Sequence, residues 1–534
     1  MGRADKVFIN GEVITVNRAN QTAEALAVKG NKITFVGSSR EAREHIGSQT
    51  ELIDLKGKSL LPGFIDAHQH LQMRGNNALA IDCRPPGVTS IAQLKSLIAQ
   101  KAARTPQGEW IRGWGYDHSK LAENRHPDRF DLDEAAPGHP VILVRVCNHI
   151  GAFNSKALEL MAVSPEARSI RGAPVGERNG RPNGVMFEAA FMETAGKSAP
   201  SEHEMADALA KAGNMLLSEG ITSVHDAGGY GFAQMKALQT AVETGKLRPR
   251  IYAMLFSLNG DSGSFSSHYI DSGIRTNFGN DRLKLGPVKM MIDGSSSGPT
   301  AATLEDYSSM PGNRGLLSLD QDYIDDMVLR GHRAGYQVTA HAVGDRAVTM
   351  ILNAYEKALL AYPRAGHRHR IEHCGIVNPA LLKRIKAMEI IPVPQPVFLW
   401  EFGDGYVRNY GQRAHRMFTA GSFARHGIVA AGSSDCPVTF ANPLLNIHVA
   451  VNRMTQTGLS VGPYEAIPVM EAIRLFTYNS AYASFDEKIK GSLEAGKLAD
   501  LALLSRSLLK ADKNEIKDIT VEQTFLDGEM VYSG

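Results

Sequence analysis

The chain has 534 residues, 43% of them hydrophobic and 21% charged, with a formal net charge of +2. That length exceeds the roughly 250–300 residues at which single cores stop growing, so more than one domain is expected. The near-neutral balance gives no electrostatic case for nucleic acid or an acidic membrane surface, and no apolar run approaches the roughly 18 residues of a membrane span.

Met1-Gly2-Arg3-Ala4-Asp5-Lys6 leads directly into a strand-like segment with no signal-peptide core, and Lys6 departs from the myristoylation pattern. Cys83, Cys147, Cys374 and Cys436 are scattered and form no Cys-x-x-Cys pair, which suits reduced thiols in a cytoplasmic protein. Residues 6–60 read as all-β. Val7–Ile9 and Val13–Val16 flank Asn10-Gly11, a hairpin signal, and Ala25–Val28 and Ile33–Gly37 flank a second turn. These strands are too few to stand alone. Leu501–Leu504, Val521–Leu526 and Glu529–Tyr532 supply more of the same kind. The expectation is one small β-sandwich assembled from residues 1–61 and 489–534, with everything between inserted into it.

Between them strands alternate with helices. Strands are expected at 140–146, 221–225, 249–255, 285–292, 337–341, 369–373, 390–393 and 428–432, and helices at 202–219, 323–334, 343–362, 379–388 and 414–426. Short strands with helical returns imply a parallel sheet, and the count approaches the eight units of a (β/α)8 TIM barrel over residues 62–488. An open doubly wound sheet is the alternative, but no Gly-x-Gly-x-x-Gly opens a helix. Residues 72–139, rich in proline and carrying Gly113-Trp114-Gly115-Tyr116-Asp117-His118, read as an insertion.

In such a barrel chemistry sits at the C-terminal ends of the strands. Those ends carry His68 and His70, His225 and Asp226, Lys289 and Asp293, His341, His373 and Asp435. Residues i and i+2 of a strand share a face, so His68 and His70 point the same way, as two ligands of one transition metal would. Four histidines and an aspartate falling together at strand ends read as a metal-ligand set. Lys289 shares a face with Met291 and Asp293, and a cation inside a barrel must be paired or neutralised. Two readings stay open: an ion pair with Asp293 or a neighbouring acid, or a lysine carboxylated by carbon dioxide into an anionic bridge between two metals. Cys374 and Cys436 follow His373 and Asp435, and alternation turns them outward as packing residues.

With these residues assembled, the chain resembles the metal-dependent amidohydrolase superfamily, in the large-insert branch of N-substituted formamide deformylases and relatives of N-acyl-D-amino-acid deacylases. The likeness rests on Leu61-Pro62-Gly63-Phe64-Ile65-Asp66-Ala67-His68-Gln69-His70, Lys289–Ser295, His341–Ala347, Ile371-Glu372-His373, Gly432–Pro437 and Gly491–Leu501. It implies that His68, His70, Lys289 and Asp435 hold one metal, and Lys289, His341 and His373 a second. The ions would be zinc, two per chain across carboxylated Lys289, with a single ion as the alternative. Two departures stand out: Ser434 precedes Asp435 where the branch has a compact Gly-Ser-Asp, and Ser296 and Pro299 stand where relatives often carry leucine and arginine.

The function this resemblance implies is hydrolysis of a non-peptide C–N amide bond, of N-acyl or N-formyl amine type, by a metal-activated hydroxide, with Asp435 as the proton shuttle. A cyclic amide, carbamate or ester hydrolase on the same centre is the alternative. A non-catalytic scaffold would have lost ligands, and here every expected position is filled. His149 matches the branch's His-x-x-x-x-Asn-Ser pattern and reads as a substrate contact. Trp114, Asp117, Asp293, Ser296 and Trp400 are further pocket candidates, though packing is the commoner fate of tryptophan. No carboxylate-binding arginine can be assigned, which favours an uncharged small-molecule substrate. Relatives tend to dimerise, so the resemblance allows a homodimer.

Overall fold

A computed structural model describes residues 3–145, 150–170, 172–198, 200–257 and 262–534. The chain divides into two compact units, Met1–Leu71 with Gly213–Gly534, and Gln72–Ala212.

In the first unit, a four-stranded sheet runs in the order Lys32–Gly37, Ala25–Lys29, Lys6–Ile9 and Glu51–Asp54. A six-stranded sheet runs Glu529–Ser533, Val521–Leu526, Leu501–Leu504, Ser59–Pro62, Glu12–Ile14 and Thr22–Ala23, so it draws on both ends of the chain. Phe8, Leu26, Ile33, Leu60, Leu501 and Phe525 share one buried core, and the rings of Phe8 and Phe525 meet edge to face at 5.2 Å. The hairpin expected at Asn10-Gly11 does not form. Lys6–Ile9 pairs with Ala25–Lys29 and Glu51–Asp54, whereas Glu12–Ile14 pairs with Thr22–Ala23 and Ser59–Pro62. Asn10, at φ 55°, sits where the chain crosses from one sheet to the other, and a Cβ on Gly11 would strike the Leu55 side chain. The turn chemistry was legible, but which sheet each strand joins is decided by burial of Phe8 and Val13 in a shared core.

The barrel consists of seven parallel strands, β1 (Phe64–Gln69), β2 (Ile221–Asp226), β3 (Arg250–Leu255), β4 (Leu283–Met291), β5 (Val338–Ala342), β6 (Arg370–His373) and β7 (Ile391–Val393), hydrogen-bonded in that order. Helices Gln321–Arg333, Asp345–Ala361 and Pro379–Ala387 return the chain between strands, with Asp320 and Asn378 capping the first and last. No strand forms at 428–432. An extended segment fills the eighth place instead: Ala431 and Ser433 N–H donate to Pro392 and Pro394 C=O, Ala67 N–H to Gly432 C=O, and Asp435 N–H to His68 C=O. The physical reason is in the sequence Pro392-Val393-Pro394-Gln395-Pro396, whose alternate residues have no N–H to return. The closing segment therefore donates to β7 with no bond returned, whereas with β1 the bonds run both ways. The helix expected at 414–426 is also split, into a tight turn Gly411–Arg416 and a short helix Gly421–Arg425, with Phe418 between them at φ 48°.

The second unit is built on a seven-stranded mixed sheet, in the order Ser169–Ile170, Ala173–Arg178, Arg181–Phe187, Ile150–Phe153, Val141–Arg145, Ile111–Tyr116 and Ile81–Asp82. The strand at Val141–Arg145 belongs here, paired with Ile111–Tyr116, and not to the barrel alternation in which its sequence placed it.

Candidate metal centre at the strand ends

His68 lies in β1 and His70 just beyond its end; Lys289, His341 and His373 come from β4, β5 and β6, and Asp435 from the closing segment. All are buried or nearly so. His68 Nε2 and His70 Nε2 each stand 3.4 Å from Asp435 Oδ1. The His373 ring centroid is 5.0 Å from that of His68 and 4.4 Å from that of His341, and Lys289 Nζ is 3.4 Å from His68 Nε2. Backbone strain gathers at the same place, with φ of 68° at His373, 45° at Cys374 and 58° at Asp435.

Each histidine has one ring nitrogen engaged. His68 Nδ1 meets Glu372 Oε2 at 2.5 Å, His70 Nδ1 meets Gly228 O at 3.0 Å, His373 Nδ1 meets Gln395 Oε1 at 2.8 Å, and His341 Nε2 meets Gly294 O at 3.0 Å. These partners accept a hydrogen bond, which fixes the tautomer and leaves the second nitrogen of each ring with its lone pair free. Asp435 Oδ1 is buried without a hydrogen-bond donor. Ligands about 2.1 Å from a tetrahedral ion stand about 3.4 Å apart, so the separations of Asp435 Oδ1 from His68 and His70 fit a divalent metal. Among the described residues, His68, His70 and Asp435 form the one group of three such side chains whose ligand atoms converge this closely.

Electrostatics support lone-pair donors at His341 and His373, whereas the Glu372 and Asp435 carboxylates raise His68 against burial. Burial pushes His341 down to about 4 and His373 well below the ordinary imidazole value. Burial works in the opposite sense on the Asp435 carboxyl, but positive charge beside it, as imidazolium at His68, His70 or His373, outweighs burial and holds it well below the usual range. Lys289 is pushed down to about 8 by burial, against the pull of Glu372 and Asp435, so a substantial fraction of neutral amine exists near physiological pH. Its Nζ lies 5.0 Å from the Phe256 ring centroid and 3.4 Å from Ala227 O.

The other residues singled out in the sequence have different surroundings. Asp293 is fully buried and accepts from the backbone N–H of Ala302, Val343 and Gly344, so it staples two loops, and its Oδ1 lies 3.5 Å from His341 Nε2. Ser296 Oγ bonds the Tyr406 hydroxyl at 2.8 Å, and Trp400 packs edge-on to His448. His225 and Asp226 also stay out of the cluster: His225 Nδ1 accepts from Arg370, and Asp226 holds Leu71 N–H and Gln234. In the second unit, the Arg84 guanidinium stacks over Trp114 at 4.8 Å, and Asp117 caps the turn at 118–120 and pairs with Arg145 at 2.9 Å. His149 lies outside the described residues.

Four supporting side chains were not read from the sequence. Glu372 holds His68, and Gln395 holds His373 while donating to Ser433 Oγ at 2.8 Å. Asp66 accepts from His68 N–H, from Gln69 Nε2 and from both the N–H and hydroxyl of Ser434, tying the end of β1 to the segment that presents Asp435. The serine that departs from the branch pattern is therefore a latch.

A parallel barrel with imidazoles, a lysine and a carboxylate converging at its strand ends places a candidate active site where barrel enzymes carry theirs. The chain belongs to the amidohydrolase family, whose profile matches residues 51–532. It is 28% identical to N-substituted formamide deformylase of Arthrobacter pascens, over 99% of this chain and 98% of that protein. It is 29% identical to YtcJ of Bacillus subtilis (strain 168), which carries the name of an amidohydrolase, over 98% and 99% respectively. Among solved structures, an uncharacterized metal-dependent hydrolase from Pyrococcus horikoshii OT3 superposes with a TM-score of 0.80 at 25% identity, covering 95% of this chain and 99% of that one. No helix among the described residues is long and apolar enough to cross a membrane.

Proposed function

We propose that this chain hydrolyses a non-peptide C–N amide bond in a small uncharged molecule of N-acyl or N-formyl amine type. The residues that would hold two divalent ions, zinc by preference, are His68, His70, Asp435, His341 and His373, with Lys289 in carboxylated form. The observation that carries this reading is the buried, donor-less Asp435 Oδ1 facing two imidazole nitrogens at tetrahedral-edge spacing. The 28% identical deformylase, which by its name acts on N-substituted formamides, supports the bond class.

A bound divalent ion lowers the pKa of water towards neutrality and polarises a carbonyl. The rest is done by side chains of the chain itself. Asp435, held as the carboxylate, takes the proton of the attacking water and hands it to the leaving nitrogen, which its second oxygen leaves it free to do. The neutral amine of Lys289 would form a C–N bond to carbon dioxide and release one proton to solvent, leaving an anionic carbamate. Glu372, Gln395 and the carbonyls of Gly228 and Gly294 keep the rings from turning. A homodimer in the cytoplasm belongs to the same reading, and the buried thiols of Cys83 and Cys374 support the reducing compartment.

The test is elemental analysis of protein purified without chelator in bicarbonate buffer, joined to a panel of N-formyl amines, N-acyl amino acids, hydantoins and aryl esters. Two metal equivalents, with turnover of N-formyl or N-acyl amines that disappears in Asp435→Asn, are expected. One equivalent would confine the ion to His68, His70 and Asp435 and leave Lys289 unmodified. Turnover of hydantoins or aryl esters alone would select the cyclic amide or ester alternative. A folded protein that refuses added zinc would refute the reading.

A further inference from the structure

Resting on that metal reading, we infer that Glu372 is a positioning residue that makes the two halves of the centre unequal, so that the half containing His68 takes its ion first and holds it most tightly. The four candidate imidazoles differ in what stands behind them. His70 and His341 donate to backbone carbonyls, of Gly228 and Gly294, and His373 donates to the amide oxygen of Gln395. His68 alone among them has a carboxylate behind its Nδ1, at 2.5 Å from Glu372 Oε2. An imidazole whose far N–H is held by an anion is a stronger donor to a metal than one held by a neutral oxygen, and such partners typically matter by about 10–100-fold in metal affinity.

Glu372 cannot swing away from this task. It is fully buried; Oε1 accepts from Thr339 Oγ1 at 2.6 Å and from Arg370 Nε at 2.9 Å, and Oε2 accepts from Arg370 Nη2 at 3.0 Å. Arg370 also donates to Ala67 O at 2.7 Å, one residue before His68. The carboxylate thus reaches from β6 through the barrel interior to β1, clamped by groups from β5 and β6. On the other half, Asp293 Oδ1 lies 3.5 Å from His341 Nε2 and accepts from Val343 N–H, a looser approach than the 2.5 Å that Glu372 makes to His68.

A structural role for Glu372 would be limited to neutralising Arg370, and metal titration separates the two. The whole chain is stripped with chelator and titrated with zinc in bicarbonate buffer against a chromophoric competitor. The native chain should show two unequal steps. Glu372→Gln should weaken the tighter step by about 10–100-fold and leave the other unchanged. Gln395→Met should weaken only the looser one. Thr339→Val keeps the carboxylate but removes one anchor, so it should weaken the tighter step by a smaller factor, and it decides the matter if Glu372→Gln does not fold. Equal effects of Glu372→Gln on both steps, no effect on either, or two indistinguishable steps in the native chain would overturn the inference and leave the hydrolase reading standing. If the native chain binds only one equivalent, weakening of that step by Glu372→Gln supports the inference and its indifference overturns it. A native chain that binds no zinc sinks both.

Discussion

Arg370 and Glu372 form an ion pair with no solvent exposure on either side chain, directly beneath the strand ends. The perturbation to make is Arg370→Met, which leaves the Glu372 carboxylate in the barrel interior without its guanidinium. Burial alone would raise that carboxyl, and Arg370 is the largest influence holding it down, followed by His68. Breaking a buried pair from one side costs roughly 3–5 kcal/mol, because the remaining charge is desolvated and uncompensated. Arg370→Met also strands the Ala67 carbonyl and His225 Nδ1, which places the expected cost in the upper part of that range. Adding Glu372→Gln removes the orphaned charge, so the double variant should be more stable than the sum of the two single losses by about 2 kcal/mol or more. The assay is hydrogen exchange of the amides in β5 and β6 at pH 7 in chelated protein, which reads local opening energies without metal contributing. A cost below about 1 kcal/mol for Arg370→Met, or strictly additive losses in the double variant, would refute the reasoning.

Asp293→Ala should leave three buried N–H groups unpaired, at Ala302, Val343 and Gly344, for a loss of about 3 kcal/mol or more in urea unfolding; an unchanged midpoint would show that Asp293 is not the staple described. Gly344→Ala should cost about 1–3 kcal/mol and lower the thermal midpoint, since its Cβ would stand 1.8 Å from Ala302 O. Acid sensitivity should be partly localised at Asp486. Burial would raise its carboxyl, but Lys490 and Lys284 outweigh burial and hold it below the usual value. Its stabilisation is therefore complete above the unfolded value of about 3.9 and is lost as pH falls through the folded one, so Asp486→Asn should flatten the fall in urea midpoint below about pH 4.

The barrel was legible because buried parallel strands read as short apolar runs ending in polar residues, and β1, β2 and β5 do so plainly. Two features were not. Asn10-Gly11 has hairpin chemistry, yet local turn preference carries no information about which sheet a strand joins, and the flanking strands part company into separate sheets. The eighth strand has an apolar pattern at 428–432, yet strand pairing needs donors on both sides, and the alternate prolines of Pro392–Pro396 withhold them.

At the site the same limit appears in sharper form. Period-two alternation turns Glu372 and His373 to opposite faces, which is why Ile371-Glu372-His373 yielded a candidate ligand and no carboxylate behind another one. The left-handed backbone at His373 and Cys374 breaks that alternation, so that Glu372 reaches His68 and His373 reaches Gln395 within one buried centre. Asp435 repeats the device: its φ of 58° lies between Ser434, latched onto Asp66, and the Cys436 N–H, which donates to Ser434 Oγ. Non-glycine residues held at positive φ cost of order 1–3 kcal/mol each and persist only where surrounding bonds over-determine them. Here the over-determining bonds are those of Glu372, Gln395, Ser433, Ser434 and Asp66, residues that an alternation pattern assigns to packing. The ligand types could be read along the chain, but the frame that aims them is held by strained backbone and cross-barrel hydrogen bonds, and neither leaves a periodic signature.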